Sequence, residues 1–250
     1  MTEEKYRVTL ENVSKKFKIG CENESALSRF ISIFSGIEHK RELQVLKNIS
    51  FSAKAGENIG IIGKNGSGKS TLLRIIAEIY SFDEGKLEVN GRMVYLTGFG
   101  QGLNPRLTMR ENIYLIGSVM GLSQKDIQKR FNEIVEFSGL DNFLDTKVYQ
   151  FSSGMTSRLS ISSTLFCVAH ANPDILLIDE AFSGGADIDF QEKSLKKMEE
   201  LIRSGATVIL VSHDLGMIKK YCNKVICFDR GRIAKIGGPD EVIEFYEKNV

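Results

Sequence analysis

The sequence predicts an α/β protein in which helices cover both faces of a largely parallel sheet, and three observations carry that expectation. Short β-type runs recur along the chain, helical patterns fall between most of them, and two runs are nearly unbroken stretches of β-branched residues and leucine, ILLID at 175–179 and VILVS at 208–212. A strand with one wet face alternates, whereas a strand buried on both faces reads as a continuous apolar run.

Taken in order, the predicted strands are YRVTLENV, KNISFSA, NIGIIG, KLEVN, RMVYL, DILLID, ATVILVS, KVICFD and RIAKIG. The alternation breaks from about 100 to 172, where MRENIYLIGSVMGL, KDIQKRFNEIVEFSGL and TSRLSISSTLFCVAHA read as helices. A helical subdomain inserted into a core made from about 1–99 and 173–250 is therefore expected. A second interruption is an N-terminal insert at 18–44. Within it Leu27, Phe30, Ile31, Phe34 and Ile37 fall on one helical face after a possible cap at Ser25. That amphipathic stretch, 25–38, reads either as a surface helix packed on its own domain or as a face offered to a membrane-embedded partner or the membrane surface.

Composition narrows the class. Hydrophobic residues make up 42% and charged residues 26% of the 250, with only three prolines, so the chain is expected to fold rather than act as a linker. Thirty-three Lys and Arg against 32 Asp and Glu leave a formal charge of +1, which gives no overall pull toward nucleic acid or an anionic membrane. Any anion site must be local. Cys21, Cys167, Cys222 and Cys227 form neither a CxxC pair nor a disulfide-framework spacing, which points to reduced thiols and away from zinc. The charged start, MTEEKYRVTLENV, lacks the apolar stretch of a signal peptide, and no window supplies the apolar run of a spanning helix. The chain is thus expected neither to cross a membrane nor to be secreted by itself.

The local anion site is explicit. Gly63, Lys64, Asn65, Gly66, Ser67, Gly68, Lys69 and Ser70, followed by Thr71, fit GxxxxGK[ST] between the strand NIGII and the helix STLLRIIAEI. In that setting glycines let backbone N–H groups wrap a phosphate and the helix start adds a positive dipole end. Lys69 can reach the terminal phosphates, and the Ser70 hydroxyl can ligate Mg²⁺. Downstream, ILLID ends in Asp179 and Glu180. Consecutive strand residues point to opposite faces, so Asp179 can face the metal shell while Glu180 addresses the attacking water. The run ATVILVS ends at Ser212-His213-Asp214, which brings His213 to a neighbouring strand end as a donor to the terminal phosphate. His39 and His170 have no such context. A second small-residue segment, QFSSGMTSR at 150–158, opens onto a helix without any lysine.

In that order and spacing, GKNGSGKST, FSSGM, Ile-Asp-Glu and Ser-His-Asp resemble the ATP-binding subunit of an ABC transporter, over essentially the whole chain. The resemblance implies a P-loop NTPase fold of the ABC nucleotide-binding type: a RecA-like core, an antiparallel β subdomain and the inserted helical subdomain. It implies ATP and Mg²⁺ as ligands, with Lys69, Glu180 and His213 catalytic and Ser70, Asp179 and Gln101 at the metal. It also implies a second copy of the chain, whose bound ATP would meet Ser152, Ser153, Gly154 and Met155 of this one. Phe17 would stack on adenine or serve as a plain core aromatic. Asp187 or Asp189 would hold the dimer contact, Asp187 being the closer. The family's Q-loop spacing, about seven positions before Pro105, falls on Gly98, while the glutamine is Gln101.

GFGQGLNPRLTMRENIYL, FSSGM in place of the commoner LSGGQ, and the insert at 18–44 resemble, more narrowly, the subunits that energise export of lipid-linked polysaccharides: O-antigen, capsule or teichoic acid. That group implies a transmembrane permease partner, a peripheral position on the cytoplasmic face of the membrane, and a glycan handled mainly by the permease. The C-terminal carbohydrate-binding domain of several members is expected to be absent. The alternatives are a drug or lipid exporter subunit and a non-transport ABC ATPase; a small-molecule kinase leaves FSSGM and Ser-His-Asp without a role.

Overall fold

The computed structural model describes residues 5–19, 41–98, 102–180 and 187–250. The amphipathic stretch 25–38, Cys21 and Gln101 lie outside the described residues. Near the N-terminus, β1 (Tyr6–Ile19) and β2 (Arg41–Lys54) pair antiparallel, and β4 (Glu84–Val89) completes a three-stranded sheet in the order β2-β1-β4. The second sheet holds β3 (Asn58–Gly63), β5 (Met93–Thr97), β6 (Ile175–Asp179), β7 (Thr207–Val211), β8 (Lys224–Asp229) and β9 (Arg232–Gly237). Its order is β5-β6-β7-β3-β8-β9, parallel except for the β8–β9 hairpin.

Every residue of β6 and β7 is buried. Successive residues divide between two cores: Ile175 and Leu177 join the cluster under the antiparallel sheet, and Leu176 and Ile178 join the cluster on the opposite face. This period of two explains the unbroken apolar runs, since both faces of each central strand are covered. The first core also takes Leu72, Leu73, Ile75 and Ile76 of α1 (Lys69–Ile76).

Between β5 and β6 lie α2 (Met109–Val119), α3 (Gln124–Ser138) and α4 (Ser153–Ala171), which share a third core around Ile113, Phe131, Ile134 and Leu159. Thr108 and Glu111 form a reciprocal capping box at the start of α2, Ser123 caps α3, and Gly139 ends α3 in the left-handed region. The Asn112 side chain, fully buried, donates to the carbonyls of Asn104 and Thr108 and accepts from Asn104 N at 2.7 Å, which fixes the loop entering the block. The remaining helices are α5 (Ile188–Ile202), α6 (Leu215–Tyr221) and α7 (Pro239–Asn249), all contributing to the second core.

Three boundaries depart from the sequence expectations. Strands β1 and β2 run several residues further toward each other than YRVTLENV and KNISFSA, with Phe17 opposite Leu43 and Lys18 opposite Glu42. Both ends of the 18–44 insert are thus hydrogen-bonded sheet, because the alternation in KKFKI continues the pleat. Helix α1 is shorter than STLLRIIAEI: Glu78, at φ 58°, turns the chain out of the helix. Third, Ser153, Gly154 and Met155 are not a free turn but the first residues of α4.

Candidate active site

The parallel registers bring three strand ends to one level, since Ile61 of β3 and Asp179 of β6 both lie opposite Val211 of β7. Whatever follows these strands emerges side by side at their carboxyl ends, where open α/β sheets bind ligands. The phosphate loop follows β3, Glu180 follows β6, and Ser212 and His213 follow β7.

Two glycines in the loop are required sterically. At Gly63 a Cβ would lie 2.3 Å from the Phe228 carbonyl oxygen. At Gly68, which has φ 107°, it would lie 2.8 Å from Leu46 and 3.0 Å from the Val45 oxygen. The loop is folded over the Lys69 side chain, whose Nζ donates to the carbonyls of Gly63 at 2.7 Å and Lys64 at 3.0 Å. Burial pulls the Lys69 ammonium below its ordinary pKa, opposed by the nearby carboxylates of Glu180 and Asp179. Asn65 and Gly66 form the exposed bend, Ser67 is buried, and Gly231 N donates to the Ser67 carbonyl from the β8–β9 turn.

Ser70 Oγ, in the first turn of α1, donates to Asp179 Oδ1 at 3.0 Å. The other carboxylate oxygen, Oδ2, accepts from the Tyr95 hydroxyl at 3.0 Å. Burial first, and Asp179 second, push the Tyr95 phenol up to about 12. Neighbouring hydroxyl and carboxylate oxygens form the hard donor set that Mg²⁺ prefers, so Ser70 and Asp179 fit that ion. Glu180 sits just beyond β6 at φ 51°, its N–H donating to the Val211 carbonyl. Its Oε1 lies 2.7 Å from His213 Nε2, and both side chains remain nearly half exposed, so water has access to the pair.

The segment 152–155 lies on a different part of the chain. Ser152 is exposed and caps α4, its Oγ accepting from Met155 N at 3.2 Å. Among the described residues, no hydrogen bond or ion pair joins 152–155 to the phosphate loop. Asp187 caps α5 through Phe190 N and accepts from Arg158 of α4, with Nε at 3.0 Å and Nη2 as a second donor. Arg158, and then the Phe190 amide, hold the Asp187 carboxyl below its ordinary pKa. Asp189 is exposed in the first turn of α5. Phe17 is half-buried with its ring edge-on to Tyr80, centroids 5.6 Å apart.

The structure therefore brings together Lys69, Ser70, Asp179, Glu180 and His213 and sets Ser152–Met155 and Asp187 apart from them. Sequence reading missed Tyr95 and Arg158. Tyr95 resembles any strand aromatic, and Arg158 any surface charge, until the sheet and helix packing are known.

Comparison with known proteins bears on the family and the fold. A model of the ABC transporter family matches residues 46–183. The teichoic acids export ATP-binding protein TagH of Lactococcus lactis subsp. lactis is 39% identical over 250 residues, covering 100% of this chain and 52% of that protein. The O-antigen export system ATP-binding protein RfbB of Klebsiella pneumoniae is 34% identical over 254 residues, covering 96% of this chain and 97% of that one. The chain thus spans about half the length of the first relative and nearly all of the second. Among solved structures, the dimeric post-hydrolysis state of the ATP-binding cassette MJ0796 bound to ADP and Pi superposes with a TM-score of 0.69, at 25% identity over 93% of this chain and 98% of that one.

Proposed function

The chain belongs to the ABC transporter family, and from that premise we propose that it is the ATP-hydrolysing subunit of an exporter moving a lipid-linked polysaccharide, of the O-antigen, capsule or teichoic acid type, across the cytoplasmic membrane. The observation that carries the enzymatic part is the meeting of Ser70 with Asp179 and of Glu180 with His213 beside the phosphate loop. The names of relatives similar along the whole chain support the substrate class.

In this reading the N–H groups of 63–71 wrap the ATP phosphates, and Lys69 shifts from its carbonyl partners toward the terminal phosphates. Ser70 and Asp179 hold Mg²⁺, which supplies charge neutralisation of the phosphates when bound. Glu180 takes the proton of the attacking water, and His213 holds the Glu180 carboxylate and donates toward the developing charge. Phe17 is the adenine-stacking candidate, and Gln101 the Q-loop candidate. Ser152, Ser153, Gly154 and Met155 complete the site of a second copy, with Asp187 at the dimer contact. The dimeric state of the MJ0796 cassette supports the presence of a second copy.

The domain reading is a single ABC ATPase unit, with the block at about 100–172 as the lobe that transmits closure to a permease. None of the helices among the described residues is long and apolar enough to cross a membrane. The likeness to export ATP-binding proteins supports a peripheral place on the cytoplasmic face, bound through that permease. Disabling Lys69 in cells tests the whole: a Lys69→Ala strain is expected to accumulate lipid-linked glycan inside and lose it from the surface. Unchanged surface glycan would reject the polysaccharide reading.

A further inference from the structure

Asp179 is only 8% exposed, and a buried carboxylate needs a donor on each oxygen. Ser70 serves Oδ1, and the donor on Oδ2 is Tyr95, from the edge strand β5. Parallel pairing sets Thr97 opposite Asp179 and Tyr95 opposite Leu177, two residues back on the same face. At about 3.3 Å of rise per residue, a group reaching Asp179 from there must span some 6–7 Å along the strand, which a tyrosine does and a shorter hydroxyl side chain does not. Gly98, which follows β5, carries no side-chain oxygen of its own.

The direction of this bond is also fixed. Arg74 of α1 stacks over the Tyr80 ring at 5.6 Å and donates to the Tyr80 hydroxyl at 3.2 Å, with its charge also acting on the Tyr95 phenol. An ionised carboxylate has only acceptors, so the Tyr95 hydroxyl is the donor and its hydrogen points at Asp179. Tyr95 and Ser70 thus donate from two sides, one to each oxygen of Asp179.

We propose that Tyr95 is a positioning residue of the metal site: its hydroxyl locks the Asp179 carboxylate in the rotamer that keeps Oδ1 beside Ser70 and so sets the affinity of the nucleotide site for Mg²⁺. This rests on the reading of Ser70 and Asp179 as the metal pair. Tyr95 acts through Asp179 and does not touch the nucleotide. Without the hydroxyl, Asp179 Oδ2 is left without its donor in a buried place, and the carboxylate turns toward water or Lys69. Loss of a supporting hydrogen bond of this kind typically costs about 10–100-fold in metal affinity.

The test is Tyr95→Phe, which keeps the ring in the core and removes one oxygen. Binding of a fluorescent ATP analogue is titrated in EDTA and again in Mg²⁺, with Mn²⁺ binding to the nucleotide complex followed by electron paramagnetic resonance. The expected result is metal-free affinity within about twofold of the parent protein, and a Mg²⁺-dependent gain in affinity, together with Mn²⁺ affinity, reduced roughly 10-fold or more. The Mg²⁺ concentration for half-maximal ATPase activity is expected to rise more than kcat falls. An undiminished Mg²⁺ gain overturns the role of Tyr95, as does an equal loss in EDTA and in Mg²⁺, which would place Tyr95 in the pocket wall. Ser70→Ala separates the two levels. If it and the parent protein respond alike to Mg²⁺, the metal pair itself is misassigned. If Ser70→Ala loses the gain and Tyr95→Phe keeps it, only the Tyr95 assignment falls.

Discussion

Glu180 Oε1 and His213 Nε2 lie 2.7 Å apart at the ends of β6 and β7, neighbouring strands whose register makes the two side chains meet. The Glu180 backbone, at φ 51°, turns its carboxylate out of the sheet toward that imidazole. Replacing Glu180 by Gln keeps the shape and the hydrogen bond to His213 but removes the proton acceptor. ATP turnover is expected to fall by a factor on the order of 10² to 10⁴ with nucleotide binding retained. Measured turnover equal to the parent enzyme's would take Glu180 out of the chemistry.

Gly154 lies in the first turn of α4, just behind the Ser152 cap and apart from the phosphate loop. A carboxylate introduced there faces any phosphate that approaches the helix start, the end that otherwise favours anions. Gly154→Asp is expected to abolish hydrolysis while leaving ATP affinity of the isolated monomer within about threefold of the parent value, since monomer binding uses the other loop. Equilibrium binding at low protein concentration checks this, and lost monomer binding would mean that 152–155 serves its own chain's nucleotide.

The two sides of the phosphate loop tolerate side chains differently. A Cβ at Gly63 collides with the Phe228 carbonyl, whereas at Gly66, φ 77°, it meets nothing within 4 Å among the described residues. Gly66→Ala therefore costs only backbone strain, about 1 kcal/mol, while Gly63→Ala adds displacement of β8 and is expected to cost roughly 3 kcal/mol or more. At about 2–4 °C per kcal/mol for a chain of this size, nucleotide-free melting curves distinguish the two. Equal shifts would contradict the contact with Phe228.

Burial holds the thiols of Cys167 at about 11, Cys222 at about 12 and Cys227 at about 11, Cys227 with a smaller contribution from Asp229. At pH 8 the thiolate fraction is then about one part in a thousand or less, and the thiolate is the reactive form. In a Cys21→Ser background the folded protein is expected to resist iodoacetamide at pH 8 and to label fully when denatured. The sign for stability follows: these folded pKa values lie above the unfolded thiol value, so the contribution is fully present below about pH 9 and is lost as pH rises toward 11–12. Rapid native labelling at pH 8 would show that one of these sulfurs is accessible.

The sequence spelled out the sheet strands because β6 and β7 bury both faces and β3 runs into an unmistakable loop. It spelled out Lys69 and Ser70 because the loop after β3 carries them in a fixed pattern, and Asp179, Glu180 and His213 because they lie at or just past the ends of such strands. What it concealed depends on neighbours distant along the chain. Tyr95 meets Asp179 only once β5 pairs with β6, and Arg158 meets Asp187 only once α4 packs on α5. The small residues of FSSGM read as a loop because glycine and serine are weak helix formers in isolation; the Ser152 cap and the packing of Leu159 and Leu165 outweigh that preference.

Four carbonyl groups of the phosphate loop are occupied by donors of the fold. Those of Gly63 and Lys64 hold the Lys69 ammonium, Ser67 O takes the Gly231 amide, and Gly68 O takes the Leu72 amide. With these negative ends occupied, the loop's N–H groups are the part of its backbone left to meet an anion. Peptide amides neither titrate nor change sign, so this part of the preference for anions persists across the whole pH range in which the fold survives. The same backbone arrangement repels cations that arrive without a phosphate, a discrimination that side-chain substitutions elsewhere on the surface leave in place.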